Sequence, residues 1–319
     1  MFGAVAREFL VAGDLRVTLF RYGSGVEGIR VDNGAGHIEV LPFVGQQIWR
    51  AQFHGRPLAM VSTFDEPVVT TDYLAGNGAY FIHCGGSAMG NPGPGDDHPL
   101  HGELPTARHG EVRLVVDGDT ITISGGFTHR VSFGPYFSAS TSLTISAHSG
   151  ILDSTATITN LSAEARPLMY LAHINFRPAV GGHIVDSLAP GSSATTRGGF
   201  ELHGSIDEVL APGIRVEPEL VQSVPAAPDS DGWVTTRQRH TDGSADLVSH
   251  RSPHLTHTIR WLRRSADDDA FGFALPATAE ADGFSAESAK GNVQLFAPGE
   301  SLVAQIRHGM EPPKDRSTA

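Results

Sequence analysis

The chain has 319 residues, with 35 acidic side chains against 23 Lys and Arg and a formal charge of −12. That surplus of acid, with the cations scattered, excludes a phosphate backbone as the expected partner, because such binding depends on clustered Lys and Arg. Apolar residues at 40% support a packed core, the single Cys84 excludes an intrachain disulfide, and no apolar run reaches the roughly 18 residues of a membrane helix, so the expectation is a cytoplasmic protein with neither leader nor anchor.

In chain order the pattern is one of short strands. Val17-Thr18-Leu19-Phe20 and His37-Ile38-Glu39-Val40-Leu41 alternate between Gly, Asp and Asn punctuation. Residues 111–116 run through Asp117-Gly118-Asp119 into 120–123, which is a hairpin signal. Residues 136–160 alternate Thr and Ser with apolar residues and turn at Ser149-Gly150. Further strands are expected within 167–176, 233–240, 245–249, 255–262, 292–296 and 302–306. Strand after strand, with no break in composition and no repeat, predicts an all-β class: a large antiparallel sandwich forming a single domain over 1–319, with a frayed tail at about 311–319. An exposed sheet edge leaves self-association into a homo-oligomer open. Two segments interrupt the pattern: a Gly- and Pro-rich loop at 84–110, and a surface excursion at 223–231.

The 84–110 loop carries His98, His101, Glu103 and His109, with His83 just before it. Such a cluster supports general acid/base chemistry or metal ligation, and equally an exposed polar loop. Pro99 argues against two ligands on one helical turn. Within 167–178 the apolar strand pattern is broken by His173, Asn175 and Arg177, two residues apart and so on one face, where a polar ligand would satisfy them; a wet surface would do the same. Arg237, with Arg239 and His240, lies on an alternating run and could meet an anion, although a solvated face is the commoner case. Trp49, Tyr73, Tyr80, Tyr136 and Trp233 are candidate stacking surfaces for a sugar, and equally core. Asp96-Asp97 could ligate a cation or merely solubilise, and Cys84 is read as structural.

Four segments resemble the aldose 1-epimerase (galactose mutarotase-like) superfamily. "GQQIWRAQFHGRPL" is similar to its early hairpin, "HPLHGELPTARHGEV" to its Leu-His-Gly signature, "LMYLAHINF" to a later strand bearing a second His, and "LFAPGESLVAQI" to its closing strands. Their order and spacing cover most of the chain, and the DUF4432-type, aldose-epimerase-like branch is the nearest in pattern. The resemblance implies a β-supersandwich with an open carbohydrate-binding face and no cofactor. It implies an isomerase in which one His protonates the ring oxygen while a Glu takes the anomeric proton. Carried over, His173 matches the acid and His101 the second His, while Gln47, His83, Asn175 and Arg177 are expected at substrate hydroxyls; Arg237, read from its alternating run alone, is the expected contact for a charged substrate. Leu275 stands where the base Glu of relatives would be, so Glu103 is the expected substitute, with Glu280 and Glu287 behind it. The missing Glu keeps two other readings open: a sugar isomerase or lyase assisted by a divalent metal among the histidines of 83–109, and a carbohydrate-binding protein without catalysis.

Overall fold

A computed structural model describes residues 1–313; the end of the expected frayed tail, 314–319, lies outside the described residues, and Glu311 closes a paired strand rather than fraying. Two large antiparallel sheets dominate. The first has twelve strands and runs, in spatial order, through Arg7–Ala12, Leu15–Arg21, Glu27–Asp32, Gly36–Leu41, Gln47–Phe53, Phe81–Gly86, Met169–Ile174, Asp269–Ala277, His257–Arg264, Val216–Val224 and Thr195–Gly199, with Arg56–Pro57 beside Gln47–Phe53. The second has eight: His183–Asp186, Val234–Arg239, Ala245–Arg251, Ser301–Glu311, Ile151–Asn160, Tyr136–Ser146, Thr120–Arg130 and Glu111–Asp117.

Alternation explains the pairing. Along Ile151–Asn160 the residues Leu152, Ser154, Ala156 and Ile158 are buried, while Thr155 and Thr157 are half-buried on the other face. The hairpins at Asp117-Gly118-Asp119 and at Ser149-Gly150 form as expected. Gly118 takes φ +56 in the first, which costs a Gly little. Tyr80, Phe176, Phe271 and Phe273 pack edge to face or tilted against one another, and each ring buried in this way contributes about 1.5–3 kcal/mol.

The differences from the expected elements are physical. The strand expected over 167–176 is regular only at Met169–Ile174, and of 292–296 only Leu295–Phe296 pairs. The 223–231 excursion starts after Val224, since Ser223 and Val224 still pair with the neighbouring strand. Phe284–Lys290, a seven-residue helix, is too short to show a 3.6-residue period in the sequence.

Candidate functional site

His173 is set by its strand. Met169–Ile174 lies between Phe81–Gly86 and Asp269–Ala277, so its side chains alternate between the inter-sheet core and the opposite face. Leu171 and His173 take that opposite face and line a cleft of about 470 Å³, within the range of small-molecule sites of ~300–1,000 Å³.

His101 arrives from the 84–110 loop. Its backbone sits at φ +61, a conformation that costs a β-carbon-bearing residue on the order of 1–3 kcal/mol and persists only where neighbours enforce it. Here the enforcement is dense: His101 donates its N–H to Gly90 and accepts from Gly85 N–H, while Glu103 and Leu104 both donate to the Gly85 carbonyl. Gly102 follows because a Cβ there would lie 2.3 Å from the Ala88 oxygen and 2.4 Å from that of Gly85. Gly85 has the same constraint, with a Cβ meeting the Met169 oxygen at 2.2 Å. The His-Gly pair thus presses the loop directly onto the strand beside His173.

The two imidazoles meet with ring centroids 5.4 Å apart, edge to face. Tyr73 stands 4.7 Å from the ring of His101 and 6.2 Å from that of His173, and Trp261 is 5.4 Å from His173. Nδ1 of both histidines and the Tyr73 hydroxyl are buried with no hydrogen-bond partner, an arrangement that is costly unless a ligand completes it. Burial pushes His173 down to about 4, slightly opposed by the Asn175 amide. Burial, then the neighbouring His173 and His98, push His101 down to about 3. Both rings are therefore neutral at pH 7. The rest of the cleft includes Glu219, Arg197, Asp282 and Leu275. Glu219 Oε2 accepts the Trp261 indole N–H at 2.7 Å, and Arg197 donates to Asp282 at 2.7 Å.

Of the other expected site residues, none lines this cleft. The Glu103 carboxylate accepts from the Ser87 backbone N–H and hydroxyl and lies 3.8 Å from His129, anchoring the start of the loop. His83 pairs with Ala172, so it shares that residue's core-facing side and bonds the Tyr170 hydroxyl at 2.7 Å. Gln47 donates to the Pro105 carbonyl. Asn175 falls one residue past the strand's end and donates to the Ala79 carbonyl. Arg177 opens instead into a separate pocket with His37 and Arg50. Arg237 belongs to the second sheet, where Glu311 pairs with it at 2.9 Å. Among the candidate aromatics, Tyr73 alone lines the cleft: Trp49 and Tyr80 are core, Tyr136 holds Arg130, and Trp233 lies under Arg251 and Arg307.

The histidines of 83–109 do not converge on a metal position. His98 is held by Phe284 N–H and its own Pro99 carbonyl, and His109 stacks on Phe127. Among the described residues the one group with ligand atoms within 4.8 Å of one another is Glu280, Asp282 and Glu287, and Lys290 Nζ already bonds all three, at 2.7, 2.6 and 3.0 Å. A cation in that position makes the cluster an ion-pair network rather than a vacant metal site.

Sequence reasoning passed over Glu219, Trp261, Arg197 and Asp282. The signal for Glu219 is long-range: Val221 pairs with Trp261, which puts Glu219, two residues earlier, on the same face as the indole. Nothing local to "VEPELVQSV" distinguishes it from a solvated strand residue.

Comparison with known proteins bears on the fold. Residues 23–309 match the family described as a domain of unknown function, DUF4432. The fold is similar to that of a Klebsiella pneumoniae protein described as a candidate aldose 1-epimerase, at 16% identity and a TM-score of 0.80 over 94% of this chain and 84% of that one. It is also similar to a galactose mutarotase-like protein from Clostridium acetobutylicum (13%, 0.67, 94% and 99%) and to a candidate mutarotase, YeaD, from Salmonella typhimurium (10%, 0.64, 96% and 96%). Identities this low establish a shared all-β fold and nothing of substrate. No curated protein matches by sequence, and no helix among the described residues is long and apolar enough to cross a membrane.

Proposed function

The chain belongs to the DUF4432 family, and from that footing we propose that it is a carbohydrate isomerase, interconverting the anomers of a reducing sugar by acid/base catalysis in the His101–His173 cleft. The observation that carries this reading is the meeting of two imidazoles from a loop and a distant strand, 5.4 Å apart, with their Nδ1 atoms buried and unpartnered. In this reading a ligand rich in hydroxyls suits a site with several unpartnered polar atoms, the Tyr73 hydroxyl among them.

The chemistry asks for few parts. A base removes the proton of the anomeric hydroxyl, its electrons form the C1=O bond, and the C1–O5 pair leaves to the ring oxygen, which takes a proton from an acid. Rotation about C1–C2 and the reverse steps close the ring on the other face. His173, as imidazolium, is the proton donor in this reading. His101 and Tyr73 hold hydroxyls and fix the ring's orientation. A positioned acid and base each contribute about 10²–10⁴ in rate, enough for a reaction that already proceeds in water. The non-catalytic reading drew on the lack of a carboxylate at Leu275; in the isomerase reading Glu219, in the same cleft, supplies one.

Two-dimensional exchange NMR across a panel of aldoses tests the proposal. The wild-type protein is expected to accelerate anomer exchange of at least one sugar, and His173→Asn to lose about 10²-fold or more of that acceleration. Equal rates for wild type and His173→Asn would remove it.

A further inference from the structure

Two carboxylates line the cleft, and they are held differently. Asp282 has both oxygens engaged by cations, Arg197 Nη1 at 2.7 Å and Lys290 Nζ at 2.6 Å, so neither is free to take a proton from a ligand. Glu219 makes one neutral contact, Trp261 Nε1 to Oε2 at 2.7 Å, and among the described residues its Oε1 has no hydrogen-bond partner. Trp261 packs 5.4 Å from the ring of His173, and Glu219, Trp261 and His173 line the same cleft. In spatial order the strands run Met169–Ile174, Asp269–Ala277, His257–Arg264 and Val216–Val224. Leu275, on the second of these, presents an apolar surface to the cleft, and Glu219, on the fourth, brings a carboxylate in from further along the sheet.

We infer that Glu219 is the general base of this cleft, taking the proton of the anomeric hydroxyl of an uncharged sugar in place of the carboxylate that Leu275 cannot supply. The inference rests on the isomerase reading. In the step, the O1–H proton passes to Glu219 Oε1, the O1 electron pair becomes the C1=O π bond, and the C1–O5 pair collects on O5 with the proton delivered by His173; ring closure returns both protons. Trp261 is a positioning residue, since it fixes which carboxylate oxygen is free. The charge of the substrate follows from the same inventory. Arg197 is the one cationic side chain among the residues lining the cleft; its Nη1 bonds Asp282 at 2.7 Å and lies 3.5 Å from Glu280, while its Nε is buried without a partner. A phosphorylated or acidic sugar would enter beside two carboxylates, Glu219 and Asp282, and only one cation, which already carries an ion pair.

The experiment compares wild type, Glu219→Gln, Glu219→Ala and His173→Asn by exchange NMR on aldoses and their 6-phosphates. Gln retains an oxygen to accept the Trp261 N–H, so Glu219→Gln is expected to keep the wild-type circular dichroism and melting temperature while kcat falls by about 10²-fold or more and KM changes little. Added formate is expected to restore turnover to Glu219→Ala, a rescue that a structural role would not show. Glu219→Gln within about threefold of wild type, with His173→Asn inactive, overturns the base assignment and leaves the isomerase reading standing. A wild-type protein that exchanges no sugar above the blank takes down the isomerase reading and the inference together. Preference of wild type for a 6-phosphate over its parent aldose overturns the uncharged class.

Discussion

An imidazole pushed down to about 4 is a poor proton store at pH 7, and that sets how His173 can act. The folded value lies below the usual 6.5, so the ring is neutral at pH 7 and its imidazolium fraction rises tenfold for each unit the pH falls. kcat/KM reports the free enzyme. With His173 as donor, kcat/KM for anomer exchange, corrected for the blank at each pH, is expected to climb steeply from pH 7.5 to pH 6. A profile that is level or falls over that interval excludes the imidazolium as the acid. His101 and His173 were legible in the sequence because each breaks a local rule: a His amid Gly-rich loop chemistry, and a His in an apolar strand. Glu219 breaks none, and its place in the cleft depends on pairing with a strand far along the chain. Asn175 shows the opposite failure, since alternation was carried one residue beyond the strand's end at Ile174.

At the scale of elements, the loop that delivers His101 is tied to the helix Phe284–Lys290. Asp96 accepts from the backbone N–H of Gly93 and from the N–H and hydroxyl of Ser285, and His98 Nε2 accepts the Phe284 N–H at 3.3 Å. The ring of His98 also bonds the Pro99 carbonyl through Nδ1 at 2.9 Å. The Asp96-Asp97 pair, open in the sequence between ligand and solubiliser, therefore divides: Asp96 is a clasp. Asp96→Ala is expected to raise amide exchange at His101 and Gly102 by about tenfold or more while Met169–Ile174 stays protected, because the strand's ladder does not depend on the clasp. Unchanged exchange at His101 would show that the glycine contacts at Gly85 and Gly102 hold the loop alone. The hairpins around Gly118 and Gly150 were readable because turn chemistry is local. The order of strands in the first sheet was not, since Phe81–Gly86, Met169–Ile174 and Asp269–Ala277 become neighbours only through long-range pairing.

For the whole molecule, the buried histidines make acid the vulnerable side. Desolvation pushes His83, His101 and His308 down to about 3, and His109, His173 and His250 down to about 4. All six are neutral in the fold, while the unfolded chain binds protons on them near 6.5. Their contribution is therefore fully present above pH 6.5 and is lost as pH falls from there toward 4 and 3. Each withheld proton costs about 1.4 kcal/mol per pH unit over that window. Six together come to at most about 8.4 kcal/mol per unit, against a typical domain stability of ~5–15 kcal/mol. Unfolding is thus expected within about two units below pH 6.5, which cuts off the catalytic gain expected from protonating His173 and confines useful activity to a narrow mildly acidic band. The urea midpoint should be level from pH 8 to 7 and fall steeply below 6.5. His308 sits between the sheets, stacked 4.6 Å from Phe81 and bonded to Ser154 and Tyr80, away from the cleft. His308→Gln, able to keep those two bonds, is expected to remove one proton from the uptake and make the fall shallower by about 1.4 kcal/mol per pH unit without touching the activity profile above pH 6. A urea midpoint that holds constant from pH 7 to pH 5 would mean that these rings already take up protons within the folded sandwich.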